Sequence, residues 1–119
     1  MSMQNSYSTI EKRYEPKYRT EINHSRNTVE VEGVFTMTVA DLLSEVLGEK
    51  IYSDAIVFKP QSPCIYEFKD AILEKEKFKE IFDSSDLGAI IDRLSLVAEH
   101  RHIHLSKLPE KTNLKIKRH

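Results

Sequence analysis

Cysteine is nearly missing from this chain: Cys64 is the single one in 119 residues. No intramolecular disulfide can form and no cysteine pair can share a zinc ion, which favours a reducing compartment. Glycine is almost as scarce, with three residues and none near another, so the clustered glycines that cradle a nucleotide phosphate are absent. No apolar run approaches the ~20 residues of a membrane span. The first seven residues carry neither the basic nor the apolar stretch of a secretory leader. A cytoplasmic protein without a membrane segment is expected. Ser95 and Ser106 lie outside any Gly-x-Ser-x-Gly frame, so no recognisable nucleophile motif is present either.

What the chain does contain suits one soluble domain. With 39% hydrophobic and 31% charged residues, a chain of this length can bury its own core without structural metals. The formal net charge of −1 hides a segregation. Residues 1–27 carry five basic and three acidic groups, residues 28–105 eight basic and fifteen acidic, and residues 106–119 five basic groups against Glu110. An acidic body between basic ends meets nucleic acid or an acidic surface in some proteins; in others the basic ends fold back on the body or keep it soluble.

Residues 1–27 read as a polar N-terminal arm. Pro16 predicts a stop or a kink in any helix at Glu15, and 23–27 read as a loop. Tyr7, Tyr14 and Tyr18 are interleaved with Lys12, Arg13, Lys17 and Arg19. Such tyrosines can stack bases while the cations meet phosphate. Glu11 and Glu15 between them repel a phosphate backbone, which favours instead an arm docked on its own domain or on a protein partner.

The organised part, residues 28–106, opens with Val29, Val31, Phe35 and Met37 at every second or fourth position. That period predicts a strand with one buried face. Thr38 and Asp41 give a capping signal. Val39, Leu42, Leu43, Val46 and Leu47 then form the stripe of an amphipathic helix, closed by Gly48. Residues 55–58 and 64–69 predict two strands joined through Pro60 and Pro63 as a hairpin. Residues 70–83 predict a charged helix with Ala71, Phe78, Ile81 and Phe82 inward. A second helix follows from Leu87 through Ile90, Ile91, Leu94, Val97 and Ala98.

Three of the five histidines fall in one run, His100, His102 and His104. Continuing the preceding helix would place Arg101 inside its apolar stripe, so a period-two reading is preferred and a strand is predicted over about residues 101–106. Two imidazoles at i and i+2 can share one Zn²⁺, whereas a third lies too far along the strand. On a helix, His100 and His104 would be the chelating i, i+4 pair. Placed at an interface, the three imidazoles would repel one another once protonated. Residues 107–119 form a basic tail or, from the alternation of residues 114–117, a lysine-guarded edge strand.

These elements predict an α+β domain, the ferredoxin-like βαββαβ arrangement with an extra helix and one sheet face covered by helices. Such a fold says little about activity. No nucleotide, nucleophile or complete metal motif is present, which points to a small non-enzymatic protein-interaction domain without a cofactor. It would self-associate or bind a protein partner through the open sheet face, an edge strand, or Tyr7, Tyr14, Tyr18, His102 and His104. Two alternatives stay open. One is nucleic-acid binding through Lys107, Lys111, Lys115, Lys117 and Arg118; the other is a metal protein or enzyme with zinc on His100, His102 and His104.

Overall fold

A computed structural model describes residues 6–118, with side chains as far as residue 107. Ile10, Tyr14, Tyr18 and Ile22 recur at every fourth position, and this stripe organises the first element, α1 (Ser8–His24). Pro16 lies inside the helix instead of ending it. An interior proline forfeits a backbone hydrogen bond and costs about 3 kcal/mol. Burial of Tyr18 and Ile22 offsets that cost, at roughly 1.5–3 kcal/mol for a large apolar side chain. Most of the segment read as a polar arm is thus a helix packed on the core.

The strand expected at 29–37 is the first half of a helix, α2 (Thr28–Leu47). Asn27 starts it: its Oδ1 accepts from the Glu30 N–H at 2.9 Å, and Glu30 Oε1 accepts from the Arg26 N–H at 2.7 Å. Side chain and backbone thus satisfy donors at the helix start reciprocally, a close variant of the capping box. From that origin Val31, Phe35, Val39, Leu42 and Leu43 face inward as one continuous stripe, leaving Val29 and Met37 outside. The period-two pattern was real but belonged to two faces of a helix. Thr38, expected at an N-cap, lies mid-helix. Gly48 ends α2 in the left-handed conformation at φ 74°, as its position after the apolar stripe required.

The hairpin forms as expected: β1 (Ile56–Phe58) pairs antiparallel with β2 (Tyr66–Phe68). The expected helix at 70–83 divides into α3 (Asp70–Leu73) and α4 (Glu76–Ser84). Ile72, not Ala71, is the buried residue of α3, and Phe78 is buried in α4.

The last helix, α5 (Leu87–Arg118), runs through the histidines where a strand was expected. Its 32 residues correspond to about 48 Å of helix. Arg101 does lie in line with the apolar stripe, and the fold uses it there. Its guanidinium donates to the Ser25 carbonyl at 2.9 Å, at the C-cap of α1, where a cation meets unpaired carbonyls and the negative end of the helix dipole. Beyond it Leu105 returns to the core. The edge strand considered for residues 114–117 is likewise helical backbone.

The described residues are therefore predominantly helical, 73% of them with a two-stranded sheet, and the ferredoxin-like α+β arrangement does not form. Two of its four required strands, at 28–37 and 101–106, are helix. Helices α1, α2 and α5 pack on one another. The hairpin and α3–α4 close the remaining side through an aromatic seam. Phe35 meets Phe58 at 5.1 Å between ring centroids; Phe68 meets Tyr66 at 5.4 Å and Phe78 at 5.2 Å; Phe78 meets Phe82 at 5.1 Å.

Replacing Phe35, fully buried where α2 meets the hairpin, by alanine is expected to lower stability by about 3–5 kcal/mol. Asn27→Ala removes only the cap and is expected to cost about 1 kcal/mol. Urea unfolding followed by circular dichroism measures both, and equal losses would contradict the assignment.

Candidate functional site

The strand register decides which backbone groups of the hairpin are spoken for. Val57 stands opposite Glu67; on either side Lys59 N–H donates to Ile65 O at 2.5 Å and Lys69 N–H to Ala55 O at 2.8 Å. In an antiparallel ladder bonded pairs recur every second residue, so residues 65, 67 and 69 of the second strand face β1. The backbone N–H and C=O groups of Tyr66 and Phe68 therefore point along the other edge, where no element of the described residues pairs with them.

Side chains follow the same alternation. Ile56, Phe58, Tyr66 and Phe68 share the face turned to the helices, while Lys59 and Glu67 form an ion pair of 2.7 Å on the outer face. Beyond the free edge of β2 the helical layer continues as α4 and α5 with no strand over it. The result is an open groove of about 690 Å³, walled by Tyr66, Phe68, Leu73, Phe78, Phe82 and Leu96. Its size lies in the range of about 300–1,000 Å³ usual for binding sites. Leu96 is 55% exposed on the α5 wall. Gly88 admits the close approach of α4 here, since a Cβ at that position would stand 3.2 Å from the Phe82 ring.

The polar groups of the groove are few. Tyr66 Oη donates to Asp92 Oδ1 at 2.6 Å, joining hairpin to α5. Burial, and then the Asp92 carboxylate, push the Tyr66 phenol well above the ordinary tyrosine value. Asp83 and Lys79 stand on the α4 rim, and Cys64 is exposed at the mouth. Two carboxylates against one ammonium leave the rim with an excess of negative charge.

The residues singled out from the sequence lie elsewhere and do not gather into one site. Tyr18 is core: 1% exposed, with its hydroxyl donating to the Leu94 carbonyl at 2.5 Å. Burial pushes its phenol upward as well. Tyr14 is half-buried and donates to Glu45 at 3.1 Å, beside an Arg13–Glu45 ion pair that holds the Glu45 carboxyl below its usual range. Tyr7 is half-buried, and its backbone N–H donates to Asp86 at 2.9 Å.

His100 and His104 are exposed one turn apart on α5 and line a shallow groove with Arg19 and Asn23 of α1. His102 turns the other way, with its ring edge-on to Phe58 at 5.9 Å and its Nδ1 buried without a partner. Helical geometry thus separates the three imidazoles that a strand would have aligned. Among the described residues no group of three or more His, Cys, Asp or Glu side chains could hold a metal ion. Lys107 is exposed; the side chains of Lys111, Lys115, Lys117 and Arg118 lie outside the described residues. No helix among the described residues is long and apolar enough to cross a membrane.

The groove escaped the sequence reading even though its parts were visible. The sequence pattern places Tyr66 and Phe68 on one face of a strand, and Phe78 and Phe82 on one stripe of a helix. Their meeting with Leu96 is a tertiary event that no spacing announces. The arrangement defines the class of protein, an α-helical bundle closed by a two-stranded hairpin. Comparison with known protein families, curated proteins and solved structures finds no match to this chain.

Because Tyr18 and Tyr66 ionise above the ordinary tyrosine value in the folded state, the unfolded chain deprotonates first as pH rises. Their contribution to stability is complete below about pH 10 and is lost at higher pH, toward the raised folded values. Urea midpoints measured from pH 8 to 11 are expected to fall above about pH 10, and less steeply in Tyr66→Phe. An identical slope in that variant would contradict the role of Tyr66.

Proposed function

We propose that this chain is a small non-enzymatic protein-interaction domain that captures an extended segment of a partner protein along the free edge of β2. One observation carries the reading: an unpaired strand edge runs beside an apolar groove on the same face of the hairpin. A segment laid against β2 would take up the backbone groups of Tyr66 and Phe68 and extend the sheet by one strand. Every second side chain of that segment would then enter the groove over Phe78, Phe82 and Leu96. Main-chain pairing supplies affinity in this mode and the alternate pockets supply specificity. The chemistry of the partner follows: two apolar side chains two residues apart, no proline between them, and a basic flank to meet the Asp83 and Asp92 carboxylates.

The test uses a synthetic octapeptide alternating valine with threonine and ending in lysines, titrated into the isotopically labelled protein. Binding is expected to shift the Tyr66 and Phe68 amide resonances and to slow their hydrogen exchange. N-methylation of the peptide at its pairing residues should abolish the effect, and Leu96→Glu should weaken binding by about tenfold or more, equivalent to about 1.4 kcal/mol. Shifts confined to other elements, or binding indifferent to N-methylation, would overturn strand addition.

A further inference from the structure

A different surface, sharing no residue with the hairpin groove, carries an inference of its own. Glycine is among the poorest residues for a helix interior, yet Gly33 stands in the second turn of α2. Nothing among the described residues requires it. Its φ is not positive, and a Cβ built on it would meet no atom within 4 Å. One turn before it Val29 is 75% exposed, and one turn after it Met37 is 59% exposed. These are the large apolar side chains that α2 leaves outside the core. The three residues lie at i, i+4 and i+8, so they form one ridge on the helix surface. Two apolar knobs flank a notch at half-buried Gly33, which opens onto a groove that α2 shares with Lys17 and Glu21 of α1.

Glycine is used where another backbone must approach closely, and within this chain no backbone does. Exposed charges of opposite sign stand at the two ends of the ridge and select a second copy of the chain as the partner: Asp41 continues the ridge one turn beyond Met37, and Arg26 lies outside the helix, just ahead of the Asn27 cap. We propose that the chain forms a two-fold symmetric homodimer in which α2 of one copy crosses α2 of a second copy, antiparallel, at Gly33. In an isologous contact of this kind each residue ahead of the axis meets one behind it. Val29 of each copy then seats beside Met37 of the other, and each Arg26 comes to an Asp41. A parallel crossing would bring Arg26 to Arg26 and Asp41 to Asp41, and like charges facing each other oppose association. With these end charges the ridge is therefore complementary to a second copy in the antiparallel orientation and repulsive in the parallel one.

Sedimentation of the full chain tests this. Wild-type protein is expected to dimerise reversibly at concentrations up to about 100 μM. Gly33→Leu fills the notch and should give a monomer, with the circular dichroism spectrum retained because open space surrounds that position. Arg26→Glu and Asp41→Arg should each weaken the dimer by about tenfold at low salt, and the double variant should restore it. These two residues are exposed, so their exchange decides the question even where Gly33→Leu disturbs the helix. Wild type that stays monomeric, a dimer that survives Gly33→Leu, or a double variant no better than the singles would overturn the proposal. Monomeric Gly33→Leu should still bind the octapeptide, which separates failure of the dimer from failure of the groove.

Discussion

Every phenylalanine in the chain belongs to one connected aromatic network, and the rest of the architecture hangs on it. Phe35 projects from α2 to meet Phe58 of β1; Tyr66 and Phe68 continue along β2; Phe78 and Phe82 carry the contact into α4. A hairpin of three-residue strands has little stability in isolation. Here its inner face is almost wholly aromatic or aliphatic and is pressed against helices. The short strands exist because the rings on them are buried, not because the ladder is long. Phe58 also receives the edge of the His102 ring, so the seam reaches into the middle of α5.

The same seam leaves the molecule unfinished on one side. Its rings cover the helical layer as far as β2 and then stop, leaving Leu96 and the half-buried Phe82 ring under no strand. A free edge next to uncovered apolar surface is a hazard that proteins usually blunt with charge, proline or a covering element. Pro63 and Glu67 do part of that work here. The remainder is the opening on which the protein-interaction reading rests. The ridge through Gly33 is a second unfinished surface, on another helix and of another kind, with a notch where the first has a groove.

Much of the secondary structure was legible in local pattern. The hairpin, the apolar stripe that closes at Gly48 and the start of the final helix at Leu87 all follow from spacing and turn chemistry. Three departures are instructive. Val29 and Met37 suggested a strand because a solvent-facing apolar residue was counted as a core residue. Pro16 suggested a break near Glu15 because the compensating burial of Tyr18 and Ile22 cannot be seen from sequence. Arg101 suggested the end of a helix because a cation in an apolar stripe looks like a broken period, although its partner, the Ser25 carbonyl, lies 76 positions away. For Pro16 and Arg101 the apparent violation was resolved by contacts distant in sequence. Asn27 with Glu30 is the signal that could have corrected the first error, since it marks a helix start ten residues earlier.

Local chemistry alone settles that one cysteine forms no intramolecular cross-link, that the glycines build no phosphate loop, and that turns fall at Gly48 and between Pro60 and Pro63. These properties depend on residues a few positions apart, whose geometry the backbone imposes directly. Tertiary packing alone settles that the histidines point to different sides of a helix, that Tyr18 is core and not surface, and that residues from β2, α4 and α5 surround one groove. Those outcomes depend on which apolar faces find one another, and burial rewards many alternative pairings nearly equally until the whole core is assembled.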